Sequence, residues 1–141
     1  AITMQQLVRI IHQRHFDRNL GRFQSLAFKP SSNGGISVFC ARCAVETTGS
    51  ACQHIQRFYP EVSGEPPIFW TFNTSILPDE HIIEETLSDT NDSCHRDIKN
   101  ITPRKAERIF KAHAKFPDSF QICQACNSDR PLTLGDLIRQ D

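Results

Sequence analysis

The chain has 141 residues, 38% of them hydrophobic, and ten are phenylalanine, so it can form an apolar core of its own. This content excludes a disordered protein, and no apolar run approaches the roughly 20 residues that cross a bilayer. Sixteen basic and sixteen acidic residues give a formal net charge of zero, which argues against non-specific nucleic-acid binding by the whole surface. We expect one compact, soluble domain over residues 1–141.

The first half of the chain is predicted to consist mainly of strands. Residues 6–11 are rich in valine and isoleucine, although their apolar positions also fit a helix. Residues 22–28 and 36–40 are predicted to form a hairpin joined through a turn-rich segment that begins at Pro30. Residues 68–74 alternate in direction and place aromatic side chains on both sides, as in a central strand.

The helices are expected mainly in the second half. A first short helix is predicted over residues 50–59, and a second over residues 79–87, where acidic residues favour a helix start. Residues 103–115 form the clearest helix, and residues 133–140 a last short one with leucines inward. Strands followed by helices indicate an α+β fold with a small antiparallel or mixed sheet.

The helix over residues 103–115 has two different faces. Thr102 is a preferred N-cap and Pro103 a preferred first residue. A stripe at helical spacing is predicted to be buried: Ala106, Ile109, Phe110 and His113. The other side carries cations that we predict to bind a partner: Arg104, Lys105, Arg108, Lys111 and Lys115.

Charge is segregated along the chain. Residues 61–92 contain eight acidic residues and no lysine or arginine, whereas residues 93–116 contain seven lysines and arginines. One interpretation is that the two segments face each other or are simply solvated. The other is that the basic surface binds an anionic partner, which would be an acidic protein surface or a nucleic acid.

Two C-x-x-C pairs are the strongest chemical signal in the sequence. Two residues between thiolates let one tight turn direct both at one ion, and two such turns complete a tetrahedral zinc site. The predicted ligands are Cys40, Cys43, Cys123 and Cys126. Mixed ligand sets stay open, because His54 and His95 lie close to the two remaining cysteines, Cys52 and Cys94.

The same six cysteines have other interpretations. They can be reduced, buried thiols of a cytoplasmic protein, which agrees with the absence of a visible signal peptide. They can also form three disulfides in a secreted domain, since glycosylation sequons occur at Asn73, Asn91 and Asn100. A thioredoxin-like redox site is not expected, because that motif belongs at a strand-to-helix junction in a βαβ unit.

Residues 119–127 (SFQICQACN) resemble the end of the zinc-bearing HNH nuclease motif. In that family one Asn lies four residues before the second C-x-x-C pair and another follows it. Asn127 matches, whereas Ser119 occupies the position of the inner Asn. The family's Asp-His pair, which supplies the base that activates water, has only Cys94-His95 as a counterpart. The resemblance implies a metal-dependent nuclease.

Together these patterns favour a non-enzymatic binding or adaptor domain in the cytoplasm, with a structural zinc site and a basic helix that docks an anionic partner. The alternatives are the nuclease and the secreted, disulfide-bonded domain. An enzyme would need a titratable group near an open metal position, whereas a site with four cysteine ligands is closed.

Overall fold

The computed structural model describes residues 5–28, 35–59, 66–87, 91–124 and 126–138. The strands are β1 (Gln6–Ile11), β2 (Phe16–Asp17), β3 (Arg22–Phe23), β4 (Ile36–Cys40), β5 (Ile68–Asn73), β6 (Ile82–Glu85), β7 (His95–Lys99), β8 (Phe120–Cys123) and β9 (Asp129–Pro131). The helices are α1 (Ala41–Thr48), α2 (Ala51–Phe58), α3 (Pro103–His113) and α4 (Leu134–Ile138). Within these ranges, no helix has the length and apolar character to cross a membrane.

Seven strands form one sheet in the order β6-β7-β4-β1-β5-β8-β9, and every neighbouring pair is antiparallel. The central strand is β1, where Val8 lies opposite Phe39 of β4 on one side and Thr71 of β5 on the other. β2 and β3 pair separately with each other. The α+β class is therefore confirmed, with a sheet larger than the small one predicted.

The sheet has an apolar core on each face. The alternation predicted for β5 sends Ile68, Trp70 and Phe72 to one core, which also contains residues of α3 and α4. Phe69 points the other way, into the core under α1 and α2. The helices thus cover both faces of the sheet, and β5 lies inside it as predicted.

Helix α3 begins as the sequence predicts, since the Thr102 side chain accepts a hydrogen bond from the Lys105 amide. Ala106 and Phe110 are fully buried against the sheet. The prediction that His113 is buried was wrong: the helix ends at this residue and its side chain is exposed. Residues at helical spacing are buried only where the helix itself packs on the sheet.

The predicted hairpin of residues 22–28 with residues 36–40 was also wrong. Residues 22–28 contain only the two-residue strand β3, and Ser25–Phe28 form a single-turn 3-10 helix. Strand β4, the predicted partner of residues 22–28, pairs instead with β1 and β7. Arg9 of β1 donates hydrogen bonds to the Ala27 and Ser37 carbonyls, which places the 3-10 helix over the sheet.

The segment 79–87, predicted to be helical, contains the edge strand β6. Cross-strand pairing with β7 places Lys99 Nζ 3.4 Å from Glu84 and Arg96 Nη2 3.4 Å from Glu85. Pairing with β7 gives the backbone of this segment hydrogen-bond partners at the edge of the sheet, and the two surface ion pairs add only a little. Strands β7, β8 and β9 were not predicted, because each is only three to five residues long and β7 and β9 are largely polar.

The other predicted helices are present. Helix α2 begins at Ala51, and the Ser50 side chain accepts a hydrogen bond from the Gln53 amide. Helix α4 covers only part of residues 133–140, with Leu137 buried but Leu134 48% exposed, so the expectation that Leu134 is inward was wrong.

Candidate functional site: sulfur atoms and a buried carboxylate between the helices and the sheet

Helices α1 and α2 form a hairpin on one face of the sheet. Gly49 joins them with a φ of 106°, a backbone conformation that residues with a side chain rarely adopt. Ala44 and Ile55 pack with Phe39 and Phe69 of the sheet. This packing brings the cysteines of the hairpin against those of the sheet.

Two disulfides connect the hairpin to the sheet. Cys43 of α1 is bonded to Cys94, which precedes β7, and their Cα atoms are 5.5 Å apart. Cys52 of α2 is bonded to Cys123 at the end of β8, with Cα atoms 5.3 Å apart. Both Cα separations are ordinary for disulfides. The bridges close sequence separations of 51 and 71 residues, so each joins distant parts of the chain.

The two disulfides bond two of the four predicted zinc ligands to cysteines outside the predicted set. Cys40 and Cys43 lie together where β4 meets α1, but Cys43 is bonded to Cys94. Cys123 is bonded to Cys52, and Cys126 lies exposed in the turn after β8 with its sulfur 2.8 Å from Ser128 Oγ. The structure thus has two disulfides and two free thiols, which differs from the expectation that the cysteines are unbridged.

A buried carboxylate lies beside the first disulfide. His54 Nε2 is 2.8 Å from Asp92 Oδ1, and neither side chain is exposed to solvent. Tyr59 donates its hydroxyl hydrogen to the other carboxylate oxygen, and the Cys94 amide donates to Oδ1 at 2.9 Å. Thr48 Oγ1 lies 3.3 Å from the second ring nitrogen of His54. All of these contacts lie beneath the helical hairpin.

Two opposing effects determine the charge of Asp92. Burial raises the pKa of the Asp92 carboxyl, whereas hydrogen bonds from His54, Tyr59 and the Cys94 amide lower it. The hydrogen bonds prevail and the pKa ends below its ordinary value. Asp92 is therefore an ionised acceptor in the interior at neutral pH.

The same group can hold a metal ion. One donor atom from each of His54, Asp92 and Cys94 lies within 4.8 Å of the others. Nitrogen, oxygen and sulfur donors suit zinc and related metals. The Cys94 sulfur is bonded to Cys43, so metal binding and this disulfide exclude each other.

The sequence indicated only part of the group around Asp92. The position of His54 close to Cys52 indicated a mixed ligand set, but Asp92 and Tyr59 were not identified. The available signal was an aspartate two residues before Cys94. The role of this aspartate depends on residues more than 30 positions away. His54 in α2 and Tyr59 just after it form hydrogen bonds with the Asp92 side chain.

His95, also considered as a ligand, takes part in a different network. Its ring nitrogens lie 2.7 Å from Ser37 Oγ and 2.7 Å from Thr86 Oγ1. Thr86 in turn donates to Asp97 at 3.0 Å. These contacts connect β4 and β7 to the chain beyond β6, and they engage both nitrogens that a metal could use.

All five predicted partner-binding cations are exposed: Arg104, Lys105, Arg108 and Lys111 lie in α3, and Lys115 follows two residues after its end. Four of them form what we call the basic face: Arg104, Arg108, Lys111 and Lys115. Lys111 lies 3.2 Å from Glu107 of the same helix. Lys105 instead points toward the acidic segment, with its Nζ 2.9 Å from Glu80 Oε1.

A cleft of about 500 Å³ adjoins the basic face where α3 ends near the β2–β3 hairpin. Lys111, Lys115 and Arg22 supply positive charge to its lining, and Asp17 supplies a carboxylate. Phe116 contributes an apolar surface. The cleft therefore combines positive charge with an aromatic wall.

No protein-family model, curated protein or solved structure matches the chain. The segment 119–127 that resembles the HNH motif covers β8 and the turn after it. Its Cys123 is bonded to Cys52, and the counterpart of the family's Asp-His pair has Cys94 bonded to Cys43. Function is therefore argued from the geometry alone.

Proposed function

We propose that the chain acts as a binding domain that docks an anionic partner through the basic face at α3. The observation that supports this is the position of the cations. The opposite side of the helix is fixed to the sheet by Ala106 and Phe110, so the basic face is presented on a rigid element.

The acidic segment 61–92 does not neutralise this face within the described ranges. Three of its carboxylates, those of Glu80, Glu84 and Glu85, pair with other cations, namely Lys105, Lys99 and Arg96. Among the residues that the structure describes, Arg104, Arg108 and Lys115 form no ion pair. A cluster in which positive charges outnumber their ion-pair partners creates a positive potential that attracts an anionic partner.

A double replacement tests the basic face. We expect Arg104→Gln with Arg108→Gln to weaken binding to a short DNA duplex. Each lost phosphate contact flattens the slope of log K against log salt by about 0.9. Neither arginine is buried, so the thermal midpoint should change by no more than about 2 °C. Fluorescence anisotropy over a salt series measures both affinity and slope.

The matched control is Arg42→Gln with Arg57→Gln, which removes the same charge from the α1–α2 hairpin on the opposite side of the sheet. A poly-glutamate peptide, tested in parallel, separates an acidic protein partner from a nucleic acid. Equal loss of binding in the test and control proteins would show that total charge, not this face, is responsible, and the proposal would be withdrawn.

A second candidate function is a zinc site in the reduced protein. The three donors His54, Asp92 and Cys94 support it, and reduction would free Cys43 as a fourth ligand beside them. Bound zinc would then hold the helical hairpin to the sheet in place of the first disulfide. Structural zinc sites contribute directly to folding.

Elemental analysis tests this candidate and separates it from the predicted four-cysteine site. We expect reduced protein to retain about one zinc ion per chain, as a tetrahedral site requires. Cys94→Ser should abolish retention, whereas Cys126→Ser should not. The opposite result would favour the site of Cys40, Cys43, Cys123 and Cys126. Retention by both variants would argue against either site.

The two disulfides also bear on localisation. Disulfides persist in oxidising compartments and are rare in the cytosol. The two bridges therefore support the secreted alternative over the cytoplasmic location expected from the sequence. Asn91 and Asn100, which begin two of the three sequons, are exposed and can accept a glycan.

A further inference from the structure

Three cysteines lie in series where β4 ends and α1 begins. Cys40 is the last residue of β4 and the N-cap of α1, and its half-buried thiol is free. Its sulfur accepts a hydrogen bond from the Cys43 amide at 3.4 Å. Cys43 is bonded to Cys94, whose residue is fully buried. A free sulfur therefore lies one helical turn from a disulfide.

The sequence did not predict a redox motif at this junction. The C-x-x-C pair spans a strand end and a helix start, although the sheet around it is antiparallel. Helix N-termini favour negative charge, and the negatively charged sulfur is the nucleophile in disulfide exchange. Exchange at this junction would make the free Cys40 the attacking sulfur and the bonded Cys43 the sulfur attacked.

We propose that Cys40 and Cys43 form a thiol–disulfide exchange site for the dithiols of a protein or peptide substrate, with Cys94 as the sulfur that Cys43 releases. In the internal step, the Cys40 thiolate attacks Cys43 Sγ. The Cys40–Cys43 bond forms, the Cys43–Cys94 bond breaks, and Cys94 leaves with the electron pair. Cys40 loses a proton to solvent and Cys94 gains one, so this step needs no oxidant.

The Thr47 hydroxyl contacts the sulfur of Cys94, the leaving group of the internal step. Its Oγ1 lies 3.6 Å from Cys94 Sγ and 3.9 Å from Cys43 Sγ, so a single hydroxyl reaches both ends of the bond that breaks. Donation of its hydrogen to Cys94 would stabilise the negative charge that develops there. Thr47 is a positioning residue, since it contacts the reacting atoms without exchanging bonds.

The substrate step takes place at Cys40, which is partly exposed. A substrate thiolate attacks Cys40 Sγ, the Cys40–Cys43 bond breaks, and Cys43 leaves as a thiolate that takes up a proton. The second substrate thiol attacks the substrate sulfur of the mixed disulfide and releases Cys40. The substrate becomes a disulfide, and the two electrons and two protons it loses are gained by Cys40 and Cys43.

The second C-x-x-C pair offers a comparison within the same chain. Cys123 is bonded to Cys52 while Cys126 is free, so its bonding pattern matches that of the first pair. Cys126, however, lies in a turn, and its sulfur contacts Ser128. It has neither the helix N-terminus nor the contact with its partner's amide that Cys40 has. Cys126→Ser therefore removes a competing thiol without touching the proposed site.

The test is a single-turnover reaction of the oxidised full chain carrying Cys126→Ser with a synthetic peptide that contains two cysteines. Samples are quenched with acid, alkylated and mapped by mass spectrometry. We expect a mixed disulfide at Cys40. The additional change Cys40→Ser should slow peptide oxidation by at least about tenfold, because it removes the neighbouring nucleophile.

Folding does not confound this test, because serine is itself a preferred N-cap and preserves the start of α1. In a second variant, Thr47→Val, we expect slower exchange with an unchanged thermal midpoint. If the Cys40→Ser protein oxidises the peptide as fast as its parent, or the mixed disulfide forms only at Cys43 or Cys94, the exchange site is rejected.

Discussion

Replacing both Cys52 and Cys123 with alanine is expected to lower the free energy of unfolding by about 2–5 kcal/mol. Their disulfide joins residues 71 positions apart, so its loss returns a large loop to the unfolded ensemble. Both residues are also buried among apolar side chains, and their truncation removes contacts in the folded state. Urea denaturation of the oxidised proteins measures the difference.

The control for this experiment is Cys126→Ala, which removes an exposed free thiol and should change stability by no more than about 0.5 kcal/mol. Intact mass under non-reducing conditions adds an independent check, because two bridges make the protein lighter by four hydrogens than its reduced form. An unchanged mass on reduction, or equal stability of the double variant and the control, would contradict the bridged structure.

Replacing Asp92 is expected to have an effect of similar size. Asp92→Ala would leave His54, the Tyr59 hydroxyl and the Cys94 amide without their common acceptor in the interior. Buried polar groups that lose their partner cost about 1–3 kcal/mol each, and a broken buried pair costs about 3–5 kcal/mol. We therefore expect a loss of at least about 3 kcal/mol in chemical denaturation.

A milder variant separates charge from shape. Asp92→Asn keeps the size of the side chain and one acceptor oxygen but loses the negative charge. Tyr59→Phe removes a single donor and should cost only about 1 kcal/mol. If Asp92→Ala were no more harmful than Tyr59→Phe, the carboxylate would not organise the contacts beneath the hairpin.

The ionisation of Asp92 also predicts a pH dependence. Its folded-state pKa is below the ordinary value of 3.8, so ionised Asp92 stabilises the fold above about pH 4. That contribution is lost as pH falls through the lower, folded-state pKa. Asp136 titrates in the same acid range, because Arg130 holds its pKa at about 2. The measured quantity is therefore the difference between the wild type and Asp92→Asn, which should shrink as the pH is lowered.

The disulfides and the buried carboxylate act on the same helical hairpin. One bridge holds each helix to the sheet, and Asp92 accepts hydrogen bonds from His54 in α2 and Tyr59 just after it. The basic face lies on the other side of the sheet, on α3. Binding by that face and exchange at Cys40 can therefore be tested with separate variants.

The amino-acid sequence by itself determined the elements whose signals are local. Thr102 and Ser50 cap their helices as expected, because a capping side chain bonds an amide three residues away. The alternation of residues 68–74 predicted a central strand covered on at least one face, and the structure covers both. Six residues of β1 were also assigned correctly, and the α+β class followed from the order of these elements.

Only the tertiary structure decided the partners of the cysteines and of the edge strands. The C-x-x-C spacing favoured ligands within each pair, yet Cys43 and Cys123 are bonded to residues outside both pairs. Residues 82–85 became a strand because β7 offered an edge for backbone pairing. The physical reason is the same in both cases: these contacts join positions far apart in the chain, and their free energy exists only after the sheet has brought the positions together.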